Sequence, residues 1–455
     1  MNQFNINRTA LFLLLATGLS LAACKKTNDF QGHDNFITSF SLKKGGMTFT
    51  AAITDSSIII TAPDGFSLDS AAATVAISEN ASIYPKPSSI VEWDDESLFV
   101  VDAHNGEAKS YKYTVKHTST PINGSVVLET QADVDAFGNL GATEITGNLI
   151  IGRTAGTDSI TSLAALYKLK KVDYSLIIYP TFAATQIIGL DNLQSVGTDL
   201  KIESLNDLVT LVLPSLERAG SISINNPLSE TVAFPKLTHV LKSLTVNAPL
   251  NSMSFPNLSQ VDGAMTLTTD PSSGAALISV LSFPALTGAG SIAVSNFRQA
   301  TKLDLPALTT ITTGDLNLSN LTALYDLNCP ALQKTTGIIT IPDPFVATKL
   351  TQINFPALTQ TGGLVIAINT INVVEFPVLT TITGDLMVTN TKLTNLDGFA
   401  ALKSAQSIEI SGQSALTSFQ GLQGVIPNIT ESGWTATGNA YNPSYEDLVA
   451  GKWTN

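Results

Sequence analysis

Residues 355–369 read FPALTQTGGLVIAIN, and something close to this occurs eight times in the chain. Aligned on their prolines, the copies fall at Pro214, Pro235, Pro256, Pro284, Pro306, Pro330, Pro356 and Pro377, with gaps of 21, 21, 28, 22, 24, 26 and 21 residues. Writing Φ for an apolar residue, each copy reads apolar-x-[Phe/Leu/Cys]-Pro-x-Leu-x-x-Φ, with Thr335 and Thr361 in the last position of two copies. A turn that usually carries Gly follows, then [Leu/Ile/Met]-x-Φ and often Asn. Weaker copies without Pro lie at 145–151, 169–178, 193–202 and 402–410, which makes about twelve. A period of 20–30 residues is the mark of a stacked repeat.

The apolar runs within a copy are three or four residues long, too short for helices. Pro cannot sit inside a central strand, so it marks a strand end or corner. Gly147, Gly197, Gly220, Gly290, Gly314, Gly363 and Gly384 precede the second run and read as turn residues. Small polar residues often follow them, such as Asn148, Ser221, Asp315 and Asp385, whose side chains can bond backbone at a corner. Each copy is then one coil of strand, corner and strand. A single coil cannot bury its own apolar face, but stacked coils share a core and form parallel ladders. Twelve coils at ~4.8 Å per step predict a stack roughly 55 Å long.

Residues 36–118 have a different rhythm. Seven short runs, FITSFSL to SYKYTVKHT, mostly alternate apolar with polar residues, and Asn105-Gly106 signals a hairpin between the last two. Seven strands in so short a block predict a small β-sandwich of immunoglobulin type. The acidic run Glu92-Trp93-Asp94-Asp95-Glu96 lacks calcium-loop spacing and reads as a solvated loop. No metal or cofactor site is expected.

Composition narrows the function classes. The 455-residue chain is 44% hydrophobic and 13% charged, against a usual ~25% charged. Its net charge of −13, with no basic stretch, argues against nucleic-acid binding. Cys24 and Cys329 are the only cysteines. Cys329 stands where other copies carry Phe or Leu and reads as a small core residue.

The first 24 residues, MNQFNINRTALFLLLATGLSLAAC, hold one cation and a 14-residue apolar run from Ala10 to Ala23, short for a membrane span. Leu-Ala-Ala-Cys resembles a bacterial lipobox, which implies acylation of Cys24 and a membrane anchor. The expected organisation is a signal peptide (1–23), a tether (24–35), the Ig-like sandwich (36–118), a linker and N-terminal cap (119–137), the solenoid (138–430) and a C-terminal cap (431–455). Thr130-Gln131-Ala132-Asp133 predicts a capping-box helix start. Asn442 followed by Pro443 and early acids predicts a second helix with Asn442 as N-cap, stopped at Gly451 and flanked by Trp434 and Trp453.

The Gly147–Gly152 segment and the later Φ-x-Phe-Pro-x-Leu copies resemble the receptor L-domain family, over about residues 125–430. The Phe-Pro-x-Leu form is especially similar to fungal GPI-anchored cell-wall proteins with L-domain-like repeats. The N-terminal block resembles Ig-like modules that follow the lipobox in many Bacteroidota surface lipoproteins. These resemblances imply a right-handed β-solenoid at the outer membrane or cell surface that binds a protein or glycan. Receptor L domains adjoin Cys-rich modules, which this chain lacks, so growth-factor recognition does not carry over.

Catalysis on a solenoid needs acids and bases on neighbouring coils. The middle residues of the Leu-x-Φ strands predict one outward column: Ile150, Ile177, Lys201, Ser223, Thr245, Thr266, Ala293, Asn317, Thr340, Val365, Met387 and Glu409. Lys201 and Glu409 are eight coils apart. Asp199, Asp315 and Asp385 lie in a neighbouring column on non-adjacent coils, and His239 reads as an exposed turn residue with no acid in register. The chain reads as non-catalytic. The inserts 152–159, 179–186, 268–276 and 342–349 all follow the Leu-x-Φ strand and should project from one side. Tyr179, Phe182, Phe297, Arg298 and Phe345 are the candidate ligand-binding residues on that side. Val365 and Met387 form a second, apolar candidate.

Overall fold

In the computed structural model, residues 32–63, 66–118, 121–203, 205, 207–269, 276–341 and 348–455 are described. The expected signal peptide, Cys24 and most of the tether lie outside these residues, as does Phe345. The chain divides into two compact units, one of Met1–Ala62 and Ser67–His117, the other of Pro63–Phe66 and Thr118–Asn455.

The first unit follows from alternation. Phe40 and Leu42 of strand Ile37–Lys44, Ile58 and Ile60 of Ser57–Pro63, and Phe99 and Val101 of Ser97–Asp102 are all buried. The central strand Ile37–Lys44 pairs antiparallel with Met47–Thr50 and Ala72–Ile77. A second, five-stranded sheet runs in the order Ala52–Ile53, Ser57–Pro63, Ala108–Thr118, Ser97–Asp102, Ser82–Tyr84. The expected hairpin at Asn105-Gly106 is present, with Gly106 at φ +88° and Ser97–Asp102 antiparallel to Ala108–Thr118. Four rings gather in the core: Phe40 lies 5.8 Å from Trp93, 5.6 Å from Phe99 and 5.8 Å from Tyr113. The acidic run is therefore not a simple solvated loop. Trp93 is fully buried and its indole N–H donates to the Ala71 carbonyl at 3.0 Å, while Asp94 accepts the Leu68 N–H at 2.9 Å.

The second unit is a parallel β-solenoid of about thirteen turns, one more than the repeat count predicts. Its main ladder climbs through the Leu-x-Φ strands, from Val126–Leu128 and Leu149–Ile151 to Ser407–Ser411 and Trp434–Thr437. A second ladder of short strands, from Glu144–Ile145 to Thr381–Ile382, joins it in one 21-stranded sheet. A third ladder, from Thr210–Val212 to Val373–Glu375, breaks into three pieces. Its two breaks follow the inserts at 268–276 and 342–349.

The Phe-Pro-x-Leu element is a β-turn. The Leu358 N–H donates to the Phe355 carbonyl at 3.2 Å, and the same bond closes all eight proline copies. Pro occupies the second position, where its fixed φ suits the turn. Phe355 and Leu358 both point inward and are fully buried. The residues before Pro stack into an internal column, which Phe399 of a Pro-less copy continues: Phe355 lies 5.8 Å from Phe376, and Phe376 lies 5.2 Å from Phe399. Cys329 stands in this column, 1% exposed, and burial pushes its thiol up to about 12.

The residue after Leu adds a second regularity. Thr287 Oγ1 donates to the Ser259 carbonyl at 2.9 Å, and Thr309 Oγ1 donates to the Thr287 carbonyl at 2.9 Å. Thr238, Ser259, Thr359 and Thr380 do the same, so in six of the eight proline copies a hydroxyl ties the coil to the one before, Glu217 and Gln333 holding the position in the others.

The repeat glycines serve a need other than turn dihedrals. A Cβ at Gly197 would stand 1.9 Å from the Asp173 carbonyl oxygen, so the preceding coil's backbone passes too close for any side chain. Left-handed backbone falls instead one residue after the Leu-x-Φ-x strands, where Asn296, Asn320 and Asn390 have φ +68°, +52° and +53°. Asn tolerates this region better than most residues.

Both caps are helical. Thr130 caps helix Gln131–Gly138 in a capping box with Asp133, as expected. At the other end the N-cap is Ser444, not Asn442, and helix Tyr445–Val449 begins after it. Asn442 is diverted because its side chain bonds both the N–H and the carbonyl of Asn439, each at 2.8 Å.

Candidate functional site

The outward column on the main ladder exists as the alternation predicts. Strand register places Ile150 beside Ile177, then Lys201, Ser223, Thr245, Thr266, Ala293, Asn317, Thr340, Val365, Met387 and Glu409 in consecutive rungs. From Ser223 to Thr340 every member is small or an amide, and none is charged. A parallel outward column two residues on carries Asn225, Asn247, Thr268, Ser295 and Ser319. Rungs are tied across this face: Asn247 Nδ2 donates to Asn225 Oδ1 at 2.9 Å, and Ser295 Oγ donates to Thr268 Oγ1 at 2.8 Å. Val365 and Met387 are half-buried direct neighbours, so the second apolar candidate is contiguous.

The insert candidates separate. Phe182 and Phe297 are fully buried, which corrects their assignment as exposed anchors. Phe182 bridges Ile160 of the preceding coil, so the insert re-enters the ladder and its ring seals the core. Tyr179 is half-buried and Arg298 is exposed. The 152–159 insert is held by charge, with Arg153 reaching Glu129 at 2.8 Å and Asp158 at 3.6 Å.

The carboxylates of the neighbouring column act as braces between coils. Asp315 Oδ1 accepts the Ile338 N–H at 2.7 Å, and Asp385 Oδ1 accepts the Ser407 hydroxyl at 2.6 Å. Asp199 Oδ2 lies 3.4 Å from the Ser175 hydroxyl.

Three charged clusters escaped the column reading. Lys171 sits between Glu144 at 2.6 Å and Asp173 at 2.7 Å, and these two carboxylates, Asp173 first, raise its pKa. Lys302 reaches Asp304 at 3.1 Å and Asp326 at 3.4 Å on the third ladder. His239 lies in a strand, not a turn, and its Nε2 is 2.9 Å from Asp262 Oδ2. No acid shares the register of His239, as expected, but Asp262 meets it on the diagonal. Asp262 is two residues beyond Gln260, the register partner of His239, and i and i+2 share a strand face. The His239 hydrogen bond holds the Asp262 carboxyl below its ordinary range.

Trp434, expected only to flank the C-terminal helix, stands in the last strand of the main ladder. It is 9% exposed, and its indole N–H donates to the Pro443 carbonyl at 3.0 Å. Among the described residues no helix is long and apolar enough to cross a membrane, and no group of three or more His, Cys, Asp or Glu is placed to hold a metal.

The fold defines a parallel β-solenoid preceded by a two-sheet unit. No protein-family model matches the chain, and no curated protein matches it significantly.

Proposed function

We propose that this chain is a cell-envelope lipoprotein, anchored at the outer membrane through an acylated Cys24, whose L-domain-like solenoid binds a protein or glycan and performs no chemistry on it. The supporting observation is the main-ladder face. Its outward residues run uncharged from Ser223 to Thr340, and hydrogen-bond-capable at all but Ala293, then apolar at Val365 and Met387. Such a surface offers regularly spaced hydroxyls and amides followed by a small apolar patch. Tyr179 and Arg298 extend the candidate surface on the insert side.

A purely structural role in the envelope is the second reading. The hydroxyl ladder favours it, because those groups are engaged with the carbonyls of neighbouring coils. A glycan array and a pull-down from envelope extracts, both with residues 24–455 carrying Cys24→Ser, separate the readings. Saturable binding that is lost on Thr266→Lys supports recognition through this face. Failure of both screens with an unchanged thermal melt supports the structural role, and release of sugars from a polysaccharide overturns both. Anchoring has its own test: incorporation of labelled palmitate into the full chain, lost in Cys24→Ala.

A further inference from the structure

The core column of the main ladder is filled by a branched aliphatic residue in rung after rung, Ile366, Val388 and Ile410 among them, all fully buried. The last rung breaks this rule. Register puts Ala436 in that position, and Ala436 is only half-buried. Beside it lies a cleft of about 430 Å³, lined by strand Trp434–Thr437, by residues 442–446 and by Glu431.

The same strand has a free edge. Trp434–Thr437 pairs with Ser407–Ser411 on one side; Val126–Leu128, at the other end of the ladder, pairs with Leu149–Ile151, and among the described residues no strand is in register with the open side of Trp434–Thr437. The Thr437 carbonyl accepts the Gly412 N–H at 2.9 Å, so the polar groups of Thr437 face the preceding rung. Strand polar groups alternate, which turns the N–H and carbonyl of Ala436 toward the open side. Natural edges are usually blunted by Lys, Pro, a bulge or a covering helix or loop; here residues 442–446 line the cleft beside the strand, and among the described residues no backbone-to-backbone hydrogen bond joins them to it. The edge carries Thr435 and Thr437, both exposed. Acids stand on the rim at Glu431 and Glu446, both exposed. Asp447 nearby is already matched by Lys452 at 2.8 Å, so the unmatched charge of the rim is negative.

We propose that the C-terminal end of the solenoid is a β-strand addition site for an extended segment of a partner protein, which pairs with the Trp434–Thr437 edge, sets an apolar side chain into the gap at Ala436 and presents a Lys or Arg to Glu431 and Glu446. Charge decides against a second copy of this chain, because apposing two such ends would bring four carboxylates together. Main-chain bonds supply the affinity in this mode, and pockets for alternate side chains supply the selection. The site is separate from the ladder face, and either can fail without the other.

The test uses residues 24–455 with Cys24→Ser and a fluorescent seven-residue peptide in which valine alternates with lysine and threonine. Saturable anisotropy is expected, weakening as salt rises, with slowed exchange of the Ala436 amide. Ala436→Ile fills the gap; it should raise the melting temperature and weaken peptide binding at least tenfold. Ala436→Pro removes one N–H from the free edge, leaves the bonds to the preceding rung intact, and should also abolish binding. The double variant Glu431→Gln/Glu446→Gln should bind more weakly and lose most of the salt dependence. The proposal is overturned if the unaltered protein does not bind, if Ala436→Ile binds equally well, or if sedimentation shows a dimer that Ala436→Ile abolishes.

Discussion

The two units reach stability by different routes. In the first, one aromatic cluster ties elements far apart in sequence: Phe40, Trp93, Phe99 and Tyr113 come from four segments. In the solenoid the same ring type is spread along a column, and each Phe meets chiefly its equivalents one coil away. The first core is centralised, so one residue reports on all of it. The second is additive, so one rung is replaceable, and the column already accepts Leu305 and Cys329 in place of Phe.

The contrast can be tested from its largest effect downward. Cys329 marks the solenoid interior. Its thiol, moved from an ordinary 9.0 to about 12, forms about a thousandfold less thiolate at neutral pH, and burial blocks access as well. Maleimide labelling of the Cys24→Ser protein should therefore be at least a thousandfold slower than in urea. Fast native labelling would mean that the coil stack opens. Trp93→Ala should cost about 3–5 kcal/mol in urea unfolding of the first unit while Cys329 stays protected. A milder loss would show that the aromatic cluster is less central than its geometry implies.

Phe376→Leu, by contrast, should cost no more than about 1.5 kcal/mol, because the column tolerates Leu elsewhere. A larger loss would contradict additivity. Thr309→Val removes one rung of the hydroxyl ladder and should cost about 1 kcal/mol. The smallest effect concerns pH. The Asp262 carboxyl titrates below its ordinary 3.8 in the folded chain, through the His239 hydrogen bond above all. A lowered folded pKa adds stability that is complete above 3.8 and is lost as the pH falls through the folded value. Between about pH 5 and pH 3 the melting temperature of Asp262→Asn should therefore fall slightly less than that of the unaltered protein. An equal fall would remove this pair from the stability of the stack.

Much of the solenoid was legible in the sequence. The Φ-x-Φ alternation named the rungs from Leu149–Ile151 to Ser407–Ser411 and missed the end rungs Val126–Leu128 and Trp434–Thr437, and the predicted outward column matches the register throughout. The candidate site was only partly legible. Phe182 and Phe297 stand in insert-like segments, but an aromatic residue that seals a coil and one that projects from it have the same local sequence. His239 and Asp262 met diagonally, a relation that a column read residue by residue does not include. Ser444 displaced Asn442 as helix cap because Asn439 competed for the Asn442 side chain. The half-exposed Ala436 carried a signal, since it is the one small residue in a column of branched ones, but only the register assigned it to that column.

By itself the sequence determined the repeat, its corners and the inward and outward sides of each strand. These depend on properties a residue carries with it: the locked φ of Pro, the missing Cβ of Gly, the αL tolerance of Asn and the two-residue period of a strand. The tertiary structure decided which inserted rings turn inward, which charges meet across coils and where the stack stays open. Those depend on contacts between residues twenty or more positions apart, through coils whose lengths vary, and no local preference specifies them.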